Sequence, residues 1–365
     1  MEIYEVNTQI CNDQVARCED INEFKEILDK NSQYYKDWKF YINRLVEVNH
    51  LNYVQMGELC MCSKNTVKRW CNEGKLPQNR EAFIKIALGL RMNLEQTNYL
   101  LRRYGKYPGL YPKCIEDAIC IFVINNPINN KKSYLYYQEL KQRYINYIHQ
   151  SKISSVNNEV NTHLLNQELN SKSTEADFEL FIKQNEIVFQ NSYHKLLSFI
   201  ELFIKAQKNS IHEFVKEHTL NATFDKMLSQ LRNKREVPKR MNLIVIGVHL
   251  NMSLEQLNEL LSYAYMEPIC AKDKIESAVL YAVENAYLTN PSFAYENAMR
   301  IRDLVDDNQV KKKCQEIIKD YWAIQSYSRE SSLEEYNHLE EGISEYLKWI
   351  LEEVEIEDQD LIELL

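Results

Sequence analysis

Ser63-Lys-Asn-Thr-Val-Lys-Arg-Trp-Cys-Asn-Glu-Gly-Lys-Leu-Pro77 is the stretch on which the fold turns. Ser63 suits a helix N-cap, Gly74 suits a left-handed stop, and Pro77 follows soon after. Between them Val67, Trp70 and Cys71 share one stripe at 3.6-residue spacing, which predicts an inward face with Trp70 as a core anchor. Asn65 and Arg69 point the other way, flanked by Lys68 and Asn72, with Lys64 and Thr66 at the sides of the first turn. Upstream, Asn52 can cap a helix over Tyr53–Cys60, and Met61-Cys62 is a short turn. An earlier helix is expected over Lys39–Val48, with Phe40, Ile42, Leu45 and Val46 offered to the core. Gly57 costs about 1 kcal/mol in mid-helix relative to Ala, and close crossing by the following helix would account for it. Two short helices joined by a tight turn form a helix-turn-helix unit.

The outward face of the third helix is cationic and rich in amide donors. Arg and Lys can reach guanine O6 and N7, and Asn can pair bidentately with adenine. Lys75, Arg80 and Lys85 stand near enough in sequence to hold phosphates. The run Cys60–Pro77 resembles the second-helix end and recognition helix of the lambda-repressor-like, XRE-type helix-turn-helix proteins. Those proteins typically show Ser-x-x-Thr-(Val/Ile)-x-x-Trp-x-x-Gly-x-x-x-Pro and then two closing helices, here Ile84–Leu90 and Leu94–Tyr104. This chain has one additional residue between Trp70 and Gly74, Met61 where a Gly is usual, and Asn52-Tyr53 where Thr-Gln is common, so the phosphate contact that the resemblance would place on that Gln is missing. The resemblance implies a five-helix fold and sequence-specific DNA binding, with recognition roles on Ser63, Lys64, Asn65, Thr66, Lys68 and Arg69.

The same pattern returns later. Ile86-Ala-Leu-Gly-Leu-Arg-Met-Asn-Leu-Glu-Gln-Thr-Asn98 matches Ile246-Gly-Val-His-Leu-Asn-Met-Ser-Leu-Glu-Gln-Leu-Asn258 at an offset of 160. That offset also aligns Pro108 with Pro268, Ile115-Glu116 with Ile275-Glu276, and Ala118 with Ala278. Upstream, after a one-residue slip, Val67 and Trp70 face Leu228 and Leu231. In the second copy the third helix would start at Thr223, with Lys226, Gln230 and Asn233 outward and Arg235 in a basic tail. It either touches phosphates without reading bases or is a structural duplicate.

Seven Gly and seven Pro in 365 residues are too few for a turn-rich barrel or sandwich, so the expected class is all-α. The expected architecture is two tandem five-helix helix-turn-helix-like modules joined by a helical and polar linker, with further helices at the C-terminus. The corresponding segments are a helical lead-in (1–36), module one (37–126), a linker (127–192), a degenerate module two (193–290) and an acidic helical region (291–365). In the last of these, Leu339, Ile343, Tyr346, Leu347 and Ile350 fall at helical spacing. The formal charge is −9, but 329–365 alone carries −11, while 63–106 carries +7. The acidic end is either a solvated helix face or a competitor of DNA for the basic helix. The Tyr134, Tyr136, Tyr137, Tyr144 and Tyr147 cluster is expected in helix packing rather than in base stacking.

Nine scattered cysteines without framework spacing point to reduced thiols in a cytoplasmic protein, and no apolar run suggests a membrane span. Cys60, Cys62 and Cys71 lack a fourth zinc ligand, so no metal and no cofactor is expected. His212-Glu213 only begins a zinc-protease motif, with Lys216 and His218 in the wrong places, and no catalytic constellation is legible, so no enzyme is expected. The expected partner is double-stranded DNA, with self-association or a protein partner through the C-terminal helices. The competing expectation is an all-helical protein-interaction adaptor that uses the scaffold without touching DNA.

Overall fold

The computed structural model describes residues 8–32, 38–128, 132–150, 161–190, 193–206, 226, 228, 229, 231, 238–289, 292–304, 308–324 and 342–365. Among these the chain is all-α, with helices and no strand. It divides into two units, 37–194 and a second made of 1–36 together with 195–365.

The unit over 37–194 begins with α3 (Trp38–Val48), α4 (Tyr53–Leu59), α5 (Lys64–Glu73), α6 (Arg80–Gly89) and α7 (Leu94–Arg103). Each start is written locally. Asn52 and Asn93 form reciprocal capping boxes with Gln55 and Gln96, while Ser63 and Asn79 accept from the N–H groups of Thr66 and Ala82. Gly74 ends α5 at φ 70°. A Cβ on Gly57 would lie 2.8 Å from the Cys62 carbonyl oxygen and 3.4 Å from the Lys64 nitrogen, so the start of α5 fits only against a bare α4 backbone. Ile42 is buried as expected, and Leu45 and Val46 are half-buried. Phe40 is not in the core: it stands 75% exposed, because Trp38 takes the inward place and packs on Phe83 and Tyr104.

Behind these five lies α8 (Ile115–Asn125), apolar on nearly every face and buried from Ile115 to Val123 apart from a half-exposed Glu116. The segment expected to act as a linker is largely part of this unit. Helix α9 (Ser133–Gln150) packs on α8 and α6, α10 (Thr162–Asn170) packs on α8, and Phe178 of α11 (Glu175–Gln184) stacks on Phe122 at 4.3 Å. A short α12 (Glu186–Gln190) closes against α9. Tyr134, Tyr136, Tyr137 and Tyr144 are buried in this packing, whereas Tyr147 is exposed and its hydroxyl donates to Glu186.

The other unit holds α1 (Thr8–Ala16), α2 (Ile21–Asn31), α13 (His194–Ala206, whose first residue falls in the 37–194 unit), α14 (Arg240–His249), α15 (Leu254–Tyr263), α16 (Lys274–Thr289), α17 (Ser292–Leu304), α18 (Asn308–Ile324), α19 (Ile343–Glu353) and α20 (Gln359–Ile362). The N-terminal lead-in is structural: α1 packs on α16, Asn12 grips the Ile269 carbonyl and the Ala271 N–H, and Phe24 stacks on Tyr281 at 4.4 Å. The acidic end is structural too. Ile343, Tyr346, Leu347, Ile350 and Leu351 of α19 are wholly buried against α16 and α14, and Leu361 and Leu365 are buried after them. Leu339 lies outside the described residues.

The internal similarity survives at the level of hydrogen bonds, with one correction. Arg80 and Arg240 open α6 and α14, 160 residues apart, and Ser253 with Gln256 repeats the capping box of Asn93 with Gln96. After α7 the spacing becomes 159. The N–H of Tyr107 reaches Leu101 O where that of Met266 reaches Leu261 O, and the Ala118-to-Cys114 bond matches Ser277-to-Asp273. The left-handed residues Lys106 and Tyr265 agree with this spacing, so Gly105 has no counterpart. The equivalences Pro108 with Pro268, Ile115-Glu116 with Ile275-Glu276 and Ala118 with Ala278 are therefore one residue out of register.

Candidate nucleic-acid interface

Helix α5 owes its position to both neighbours. Asn43 of α3 donates to the Cys71 carbonyl at 2.8 Å, and Trp38 Nε1 donates to the Lys75 carbonyl at 3.0 Å, so α3 clamps the end of the helix. Val67, Trp70 and Cys71 are buried as the spacing requires. Lys64, Asn65, Lys68, Arg69 and Asn72 are all exposed on the opposite side. Ser63 is exposed, but its hydroxyl serves the helix start, accepting from the Thr66 N–H at 3.0 Å and pairing with the Thr66 hydroxyl at 2.9 Å. Thr66 is half-buried.

The cations on this face differ in company. Among the described residues, Lys64 and Lys68 make no ion pair within 4 Å. Glu73 sits between Arg69 Nε at 4.0 Å and Lys75 Nζ at 3.2 Å, because Gly74 turns the chain back and lets the Lys75 N–H reach the Arg69 carbonyl. Asn72 is held from α4: the Tyr53 hydroxyl donates to its Oδ1 at 3.1 Å. The sequence pattern did not mark the bond from Tyr53 to Asn72 or the place of Glu73 between two cations, since both depend on neighbours brought close by the fold.

Two expected phosphate contacts are corrected. Arg80 is 9% exposed and its Nη1 lies 2.8 Å from Asp117 Oδ1, so it is a buried structural charge. Asp117 also accepts the Tyr111 N–H at 2.9 Å. Burial pushes the Asp117 carboxyl above the ordinary carboxylate value against the pull of Arg80, while Asp117 helps to hold the guanidinium charged. Arg240 repeats this arrangement with Glu276, at 2.8 Å from Nε and 2.9 Å from Nη2, and Glu276 accepts the Cys270 N–H at 3.0 Å. Lys85 is half-buried, 3.6 Å from Glu81 and over the Tyr134 ring at 5.0 Å, so it belongs to the α6–α9 packing. In the second copy Lys226 is exposed, and Gln230, Asn233 and Arg235 lie outside the described residues.

The thiols near the turn are not poised for chemistry. Burial, reinforced by Cys62, pushes Cys60 up to about 12, and burial also raises Cys62 and Cys71, so all three stay protonated near neutrality. Among the described residues no group of three or more His, Cys, Asp or Glu is placed to hold a metal ion, and no helix is long and apolar enough to cross a membrane. No family model, no curated protein and no solved structure matches the chain.

Proposed function

We propose that the chain is a sequence-specific double-stranded DNA-binding protein, a cytoplasmic transcriptional regulator that lays α5 in the major groove. The observation that carries this reading is the split of α5 into a buried Val67-Trp70-Cys71 stripe and an exposed Asn65-Lys68-Arg69-Asn72 stripe. A convex helix face that exposes guanidinium, ammonium and carboxamide groups matches what base edges and phosphates ask for. Among the described residues Lys64 and Lys68 make no ion pair that a phosphate would have to break, and Arg69 meets Glu73 through Nε at 4.0 Å. The test is selection of bound duplexes from a random DNA pool. An enriched motif is expected, and Asn65→Ala should cost about 1–3 kcal/mol of discrimination at one base position. Failure to enrich any sequence, with no salt-dependent duplex binding, would end the reading.

A second reading has one observation in its favour. Phe40, 75% exposed, borders a shallow depression of about 340 Å³ on α3 with Asn43, Arg44 and Glu47. An aromatic ring left in solvent suits a protein contact, so the alternative is a non-enzymatic adaptor. Duplex binding at two salt concentrations separates the two, because an adaptor shows little affinity and little salt slope.

A further inference from the structure

We propose that Asn72 holds a DNA phosphate rather than a base, and that Tyr53 is its positioning residue. This assignment rests on the DNA reading above. Asn65 and Asn72 lie on one stripe of α5, seven residues apart, which is about 10 Å along the axis. The major groove is about 12 Å wide and about 8.5 Å deep. A helix whose first turn reaches base edges therefore brings its last turn to the lip of the groove, where phosphates run. Lys75, exposed just beyond the Gly74 turn, stands at the same end.

The chemistry of the pair agrees with that place. The Tyr53 hydroxyl, from the first residue of α4, donates to Asn72 Oδ1 at 3.1 Å. With Oδ1 turned toward α4, the atom left to face outward is Nδ2, which only donates. Adenine needs a donor and an acceptor side by side, whereas a phosphate oxygen needs donors alone. Tyr53 thus fixes which end of the carboxamide meets the ligand, and it ties the start of α4 to the same phosphate.

The test is equilibrium binding of the full chain and of Tyr53→Phe, which loses only the hydroxyl, to the enriched duplex and to a scrambled one. Both duplexes should bind about 3- to 10-fold more weakly, with the preferred sequence unchanged. The salt slope should also stay unchanged, since no charge is removed. Duplexes carrying one methylphosphonate each then locate the contact. At a single position wild type and Tyr53→Phe should bind alike, and elsewhere their ratio should persist. Asn72→Ala, at an exposed site, should reproduce the loss, and adding Tyr53→Phe to it should change nothing more. If Tyr53→Phe fails to fold, Asn72→Ala gives the same methylphosphonate readout. The clamp is overturned if either variant alters base preference, if the ratio persists at every phosphate, or if binding equals wild type. A wild-type chain that binds no duplex overturns the DNA reading and the clamp with it.

Discussion

Replacing Arg80 by Met separates a buried structural charge from a DNA contact. Asp117 is fully buried, ion-paired with Arg80 at 2.8 Å, and its Oδ2 accepts the Tyr111 N–H. Unit charges about 4 Å apart attract by about 4 kcal/mol at an effective dielectric of about 20. Stripping one partner from a buried pair typically costs about 3–5 kcal/mol, because the other charge stays uncompensated. Arg80→Met should therefore lose about 3–4 kcal/mol near neutral pH, read as the urea unfolding free energy. The loss should depend on pH, and its sign is fixed. Without Arg80 the folded Asp117 carboxyl rises further above its unfolded value of about 3.9, so the folded state binds the extra proton. Its stability is then greatest below the unfolded value and falls as pH rises, by up to about 1.4 kcal/mol per unit, until the folded pKa is passed. The deficit against wild type should be visibly smaller at about pH 5 than at about pH 8. Arg80→Met/Asp117→Leu should recover most of it, since no charge is left stranded. A loss below about 1 kcal/mol without pH dependence, together with weakened DNA binding, would refute the buried-pair argument and return Arg80 to the interface.

Lys75→Ala should weaken binding to all duplexes alike and lower the salt slope by about one unit, measured by titration at several salt concentrations. Gly57→Ala should destabilise by about 1–3 kcal/mol, because the added methyl meets a backbone oxygen at 2.8 Å; a gain of stability in urea denaturation would refute the close approach. Leu347→Ala should cost about 2–5 kcal/mol in the same assay. An acidic end that merely floated in solvent would show no change.

What the sequence disclosed were the features settled within a turn or two of helix. Ser63, Asn52 and Gly74 act where their chemistry says, and Trp70 plugs the interior because Val67 and Cys71 share its stripe. What it hid depended on distant partners. Arg80 reads as an available cation until Asp117, 37 residues on, arrives beside it. Phe40 reads as core until Trp38 occupies the inward place. The segment 127–192 reads as a linker, yet its apolar residues Leu165, Leu169 and Phe178 find α8 and its neighbours. The acidic end looks detachable by charge count, while its residues Ile343, Leu347, Ile350 and Leu351 fill a core. Removing it to free a basic helix would dismantle the unit that it closes.

The one-residue shift after α7 governs how the two Arg-opened segments could be interchanged. A graft of the α16 start in place of the α8 start, cut at the constant spacing of 160, seats Ser277 opposite Arg80 and strands a guanidinium against a hydroxyl. Cut at 159, with Gly105 left out of the reckoning, the same graft delivers Glu276, whose longer arm already grips an arginine through both oxygens. Only the second chimera keeps a counter-ion beneath α6.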